Sequence, residues 1–243
     1  MNRVILFPQE LNDSKQVVID DPLRLRHLRD VLRVKPGSEI RVSVLEQGIG
    51  SASVLKTDQG GVVLKLENLM PGSLPWLSVF LGLCRPPTLK KIFEHGTCMG
   101  VGAYHLVQGT LSEKSFWKSS LLQKERYRNI WNLGISQSNI YYQSPQLFQY
   151  GGTRELRLEE CKGSRIFLDP EADALIADVG ISFEDQIHLA IGPERGWTAS
   201  EADLFQNAGF IPVRISSTTL RVEHALFHAI GQLELLRLKE RMT

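Results

Sequence analysis

The rhythm of apolar and polar positions changes near residue 70. Before it, EIRVSVL (Glu39–Leu45) alternates with the period of two expected of a half-buried strand, and SASVLKT and GVVLKLENL read as further strands around a QGG turn. One segment has helical spacing instead, RLRHLRDVLRVKPG (Arg24–Gly37). Its Leu25, Leu28 and Leu32 share one face, Arg26, Arg29 and Arg33 share another, and Pro36-Gly37 ends it. MPGSLP (Met70–Pro75), with two prolines and a glycine, reads as a linker. Beyond it strands and helices alternate. WLSVFLGL is strand-like, PPTLKKIFEHG opens like a helix, AYHLVQG is strand-like, and Ser119–Ser136 is helical. SRIFLDP, IHLAI and IPVRI follow as short strands, and a last helix runs from about Arg221 to Arg241. Repeated β-α units predict an α/β fold, a mostly parallel sheet with helices on both faces.

Length and composition narrow this picture. The chain has 243 residues, 42% apolar and 23% charged, which suits an ordinary globule with a substantial core. A net charge of +1 gives no global pull towards nucleic acid, so any such binding must use a local patch. Cys84, Cys98 and Cys161 form no CxxC pair, which favours a reducing cytosol over structural zinc. No apolar run approaches the roughly 18 residues of a membrane span, and MNRVILFPQE is interrupted too soon for a signal peptide. The expectation is a soluble, cytoplasmic protein that does not engage a membrane.

Chemistry-bearing residues gather late in the chain. IGPERGWTASE (Ile191–Glu201) places Gly192, Pro193 and Gly196 between a buried strand and a helix start, and Thr198 with Glu201 has capping-box spacing. A second strand-to-helix loop, SSTTLRVEHA, follows Ile215. Neither loop is a Walker or G-x-G-x-x-G cradle, so each is compatible with a plain tight connection as well as with a ligand site. His224 and His228 have metal-compatible spacing, but the order is E-H-x-x-x-H with no third ligand suggested, and apolar neighbours favour packing. RLRHLRDVLRVK holds Arg24, Arg26, Arg29, Arg33 and Lys35 against Asp30, a patch suited to phosphate backbones or simply a solvated helix face. Gly231 interrupts the apolar face of the last helix at a cost of roughly 1 kcal/mol relative to alanine. A close helix partner would offset this, so a homodimer is expected there.

Together the two loops resemble a known signature. GPERGWTASEADLFQNAGF, then IPVRISSTTLRVEHAL, is similar to the C-terminal pattern of the RsmE family, G-P-E-G-G-F-S … E … G-F … L-G-x-R-I-L-R-T-E-T-A. HLRDVLRVKPGSEI resembles its N-terminal segment and KERYRNIWNLGISQS its central helix, so the resemblance covers most of the chain in order. It implies a PUA-like β-barrel (residues 1–70) that helps hold RNA, a linker (71–75), and a SPOUT-type domain (76–243) with a deep trefoil knot. It also implies S-adenosylmethionine-dependent methylation of N3 of a uridine in small-subunit (16S) ribosomal RNA. The cofactor loops carried over are Gly192, Pro193, Glu194 and Gly196, then Ile215, Ser216, Leu220 and Arg221, with Leu168 lining the same pocket. The glycines are expected to leave room for cofactor against bare backbone.

Departures mark a divergent member. Arg195 replaces the second glycine of G-P-E-G-G and would be strained if that position needs positive φ. Ser216 replaces the glycine of L-G, Thr218 an arginine, and Val222 and His224 the two threonines. Arg221 is expected to stabilise the developing uracil anion, with no metal required. Glu223 is a candidate base, or instead a cap on the last helix. Two further readings stay open: an RNA-binding or ribosome-assembly protein without catalysis, and a methyltransferase of the same fold acting on another RNA.

Overall fold

A computed structural model describes residues 3–242, which divide into two compact units. The first comprises Met1–Leu74 with Asn132–Ser144, the second Pro75–Trp131 with Pro145–Thr243.

In the first unit, β1 (Val4–Leu6), β2 (Gln16–Ile19), β3 (Glu39–Val44), β4 (Gly48–Asp58) and β5 (Gly61–Met70) form one sheet in the order β1-β3-β4-β5-β2. Only β1 and β3 run parallel. The alternation in β3 turns Ile40, Val42 and Val44 inward against Val54, Val62 and Leu64. Irregularities at Ser51/Ala52 and Val54/Lys56 interrupt the β4–β5 register, the kind of bulge that bends a sheet towards a barrel. The basic segment is helical but not uniformly so. A short α1 (Pro22–Arg26), capped by Asp21, runs into a π-turn at His27–Val31. Leu28 is buried with Leu25 and Leu32 against it, while Arg26, Arg29 and Arg33 face solvent, as the spacing predicts.

Two boundaries differ from the sequence reading. The stretch expected to be a linker is paired: Ser73 bridges to Tyr141, its N–H donates to the Ile140 carbonyl at 2.9 Å, and a Cβ on Gly72 would sit 2.1 Å from that oxygen. Residues 132–144, expected in the second domain, belong to the first unit. Buried Arg3 donates to the Asn139 carbonyl there, and Ile135 packs with Ile5 and Leu45. Such a return of the chain leaves no compositional mark.

The second unit holds β6 (Leu77–Gly82), α2 (Pro86–Cys98), β7 (Val101–Val107), most of α3 (Lys124–Gln137), β8 (Gln146–Tyr150), β9 (Arg165–Leu168), β10 (Ile187–Ile191), α4 (Ala199–Asn207), β11 (Ile211–Val213) and α5 (Val222–Met242). Its six strands are all parallel, in the order β11-β9-β10-β6-β7-β8. One row across the sheet reads Phe148, His105, Phe80, Ala190, Phe167, Pro212. Its rings stack, His105 lying 4.3 Å from Phe80 and 4.7 Å from Phe148, and Phe205 of α4 packs against this face. The next row (Tyr104, Val79, Leu189, Ile166) points to the other face, where α2 and α5 pack and the Tyr104 hydroxyl donates to the Ile92 carbonyl at 3.1 Å. Helices thus cover both faces.

Candidate active site

The strand order reverses direction between β10 and β6, and the carboxyl ends of β6, β9, β10 and β11 meet there, the place where open α/β sheets bind ligands. A cavity of about 720 Å³ opens at these ends, within the usual range for a small-molecule site of roughly 300–1,000 Å³. Every cofactor residue expected from the sequence lines it: Leu168 from β9; Gly192, Pro193, Glu194 and Gly196 from the first loop; Ile215, Ser216, Leu220 and Arg221 from the second.

Each loop is held by specific contacts. Pro193 to Gly196 is a β-turn in which the Gly196 N–H donates to the Pro193 carbonyl at 2.8 Å, and Gly196 has φ +74°, a conformation that favours glycine. Arg195 is not among the residues with positive φ, so the turn accepts its side chain without the expected strain, and it projects to solvent. Gly192 serves differently from expectation. A Cβ there would lie 3.0 Å from the Gly196 Cα and 3.1 Å from the Trp197 nitrogen, so this glycine lets the loop close on itself. Gly82 lets the loop cross β6, since its Cβ would lie 2.3 Å from Pro193. The Glu194 carboxylate accepts from the Arg85 backbone N–H at 2.9 Å. Thr198 and Glu201 form the capping box at the start of α4, and buried Glu201 also accepts from the Thr110 N–H at 2.8 Å, tying in the loop after β7. Burial alone would raise the Glu201 pKa, but its donors from Thr198 and Thr110 outweigh this and lower it. The second loop is held at 2.8 Å on both sides, by the Arg214 N–H donating to the Ala174 carbonyl and Gln232 of α5 donating to the Ile215 carbonyl.

Sequence reasoning missed several lining residues. Arg85 and Thr88 come from the start of α2, Asp169 follows β9, and Trp197 follows the first loop; Glu223, weighed in the sequence as a base or a cap, also lines the cavity. Arg85 follows a parallel strand directly, and that position was the available signal. Glu223, 3% exposed, takes a hydrogen bond from Lys91 Nζ of α2 at 3.1 Å. Burial would raise its pKa, but its own backbone N–H and Lys91 bring it below the usual carboxylate value. It is therefore an anion at neutral pH, but its lowered basicity suits it poorly to taking up a proton as a general base.

The four N-terminal arginines part company. Arg24 is engaged within the first unit: it pairs with Asp21, donates to Glu10 at 2.6 Å and to the Ile5 carbonyl at 3.0 Å, and lies over the Phe7 ring. Arg26 is exposed with only a 3.9 Å contact to Asp30, Arg29 reaches the Asp58 carbonyl, and Arg33 stands at φ +50°. On α5, His224 and His228 are both exposed, and no group of three or more metal-ligating side chains exists among the described residues. No described helix is long and apolar enough to cross a membrane.

A parallel sheet whose strand ends carry two closed loops around such a cavity defines a small-molecule site of the open α/β kind, and comparison with known proteins specifies its class. The chain belongs to the RNA methyltransferase domain family, whose sequence model matches residues 72–234. It is similar to the ribosomal RNA small subunit methyltransferase E of Treponema pallidum (26% identity, covering 93% of this chain and 87% of that one). It is likewise similar to the ribosomal RNA small subunit methyltransferase E 1 of Borreliella burgdorferi (25% identity, covering 90% and 92%). The crystal structure of the Neisseria gonorrhoeae enzyme of that name, bound to S-adenosylmethionine, superposes with a TM-score of 0.78 over 97% of this chain and 98% of that one, at 21% identity. The resemblance to the RsmE family and the SPOUT-type α/β fold class, here a parallel sheet beside a separate mixed five-stranded sheet, are thus borne out.

Proposed function

We propose that the protein is an S-adenosylmethionine-dependent methyltransferase acting on N3 of a uridine in 16S ribosomal RNA. The observation that carries this reading is the convergence of both signature loops on one cavity at the strand ends. The cavity fits the cofactor: it is bounded by loop backbone at Gly192 and Gly196, offers apolar walls at Leu168, Ile215 and Leu220, and has space at Gly196, where a Cβ would meet nothing within 4 Å. When bound, the cofactor supplies an electrophilic methyl group on a sulfonium sulfur.

The chain's own residues supply positioning and charge. N3 of neutral uridine carries a proton, and a uracil anion develops as that proton leaves. Arg221 at the cavity rim provides a guanidinium to stabilise the anion. Closed loops hold the reacting groups in line and supply much of the rate. The exposed Arg26, Arg29 and Arg33 hold RNA phosphates, with Arg24 reassigned to holding the β-domain together. The substrate is ribosomal RNA or the small ribosomal subunit, in the cytoplasm, and two copies pair through α5. At Gly231 a Cβ would meet nothing within 4 Å, and Leu235 and Leu238 are exposed on the same helix, features that suit a close partner helix. Light scattering at micromolar concentration tests the dimer: twice the chain mass is expected, and a monomer contradicts it. Arg221→Ala tests the mechanism. It is expected to lower methyl transfer by about 100-fold or more with little loss of cofactor affinity, whereas equal loss of both makes Arg221 a binding residue.

A further inference from the structure

The cavity is lined by three guanidinium groups and three carboxylates, but they are not equivalent. Arg85, Arg214 and Arg221 are exposed, so solvent screens their charge, and Glu194 is exposed too. Asp169 is partly exposed and accepts from the Glu171 N–H. Glu223 alone among the six is buried, held by the start of α5 behind it and by Lys91 at 3.1 Å. Lys91 is itself 55% exposed, so water weakens the cation more than the carboxylate it faces.

We propose that Glu223 is the residue by which the cavity prefers a sulfonium cofactor to its neutral demethylated product. This rests on the cofactor reading above. S-adenosylmethionine and S-adenosylhomocysteine differ by one methyl group and one positive charge, because the electron pair of the broken S–CH3 bond stays on sulfur as the N–CH3 bond forms. A buried negative wall stabilises the cation and gives nothing to the thioether, so the same charge that holds the donor releases the spent product. Glu223 thereby acts through ligand charge rather than as a proton acceptor.

Calorimetric titration of the full chain with each ligand separates the possibilities. The wild-type protein is expected to bind S-adenosylmethionine about tenfold more tightly than S-adenosylhomocysteine. In Glu223→Gln, which keeps the shape, the ratio falls to near one, mainly through weaker binding of the cation. Lys91→Met removes the counter-charge and raises the ratio, which keeps the proposal testable if Glu223→Gln does not fold. A ratio near one in the wild type, equal weakening of both ligands in Glu223→Gln, or an unchanged or lower ratio in Lys91→Met overturns it. Failure of both ligands to bind the wild type overturns the cofactor reading itself.

Discussion

Glycine positions in the site differ in what a side chain would cost. At Gly192 any Cβ meets loop backbone at 3.0 Å, so Gly192→Val is expected to open the turn and weaken cofactor binding by about tenfold or more, read by calorimetry. Retained affinity in that variant would show the loop to be adaptable. Arg195→Gly, which restores the glycine of the family pattern, is expected to leave cofactor affinity within about twofold, because the present backbone there is unstrained. Residue identity made these loops legible: strand, glycine, proline and capping box all stand in the sequence, and the cavity contains every residue they indicated. The role of Gly192 was not legible, because contact between residues 192 and 196 follows from turn geometry rather than from composition. Arg24 was misjudged for a related reason. Asp21 stands three residues before it as the helix cap, but Glu10 and the Phe7 ring lie far off in sequence, so only the folded chain separates it from Arg26, Arg29 and Arg33. Arg24→Ala is expected to destabilise the protein by about 1–3 kcal/mol, as loss of a partly buried charged network does. The triple change of Arg26, Arg29 and Arg33 to glutamate should instead leave the melting temperature nearly unchanged and abolish RNA retention on a filter.

Among the elements, the aromatic row on the sheet carries a pH dependence. His105 lies between Phe80 and Phe148 with its Nδ1 3.1 Å from the Tyr150 hydroxyl, and burial, then the nearby His188, lowers its pKa from 6.5 to about 4. The folded state therefore takes up that proton less readily than the unfolded chain. The stability involved is fully present above pH 6.5 and is lost as pH falls from 6.5 towards 4. Thermal unfolding should accordingly show a falling melting temperature between pH 7 and pH 5, with a shallower fall in His105→Gln. An identical slope in that variant would exclude His105 as the source, leaving His188, whose pKa is also lowered by burial. Strand assignments for β3, β4, β5, β9 and β10 followed from alternation or from short apolar runs. The strands β1, β2 and β8 did not: β1 is apolar throughout but only three residues long, and β2 and β8 mix polar and apolar positions without a clear period.

For the whole molecule, the order of elements was readable and the return of the chain was not. Residues 132–144 lie with the first unit although sequence rhythm groups them with the second, and long-range pairing such as Ser73 with Tyr141 has no local signature. What the resemblance supplied was the joint meaning of two loops that are each unremarkable alone. The most direct test of the methyltransferase assignment is mass analysis of nucleosides from small ribosomal subunits, isolated from cells lacking the gene and incubated with the protein and methyl-labelled S-adenosylmethionine. Label in 3-methyluridine from 16S RNA, absent with Arg221→Ala, is the expected result. No transfer of label to the RNA, or transfer only to a different nucleoside, would contradict it.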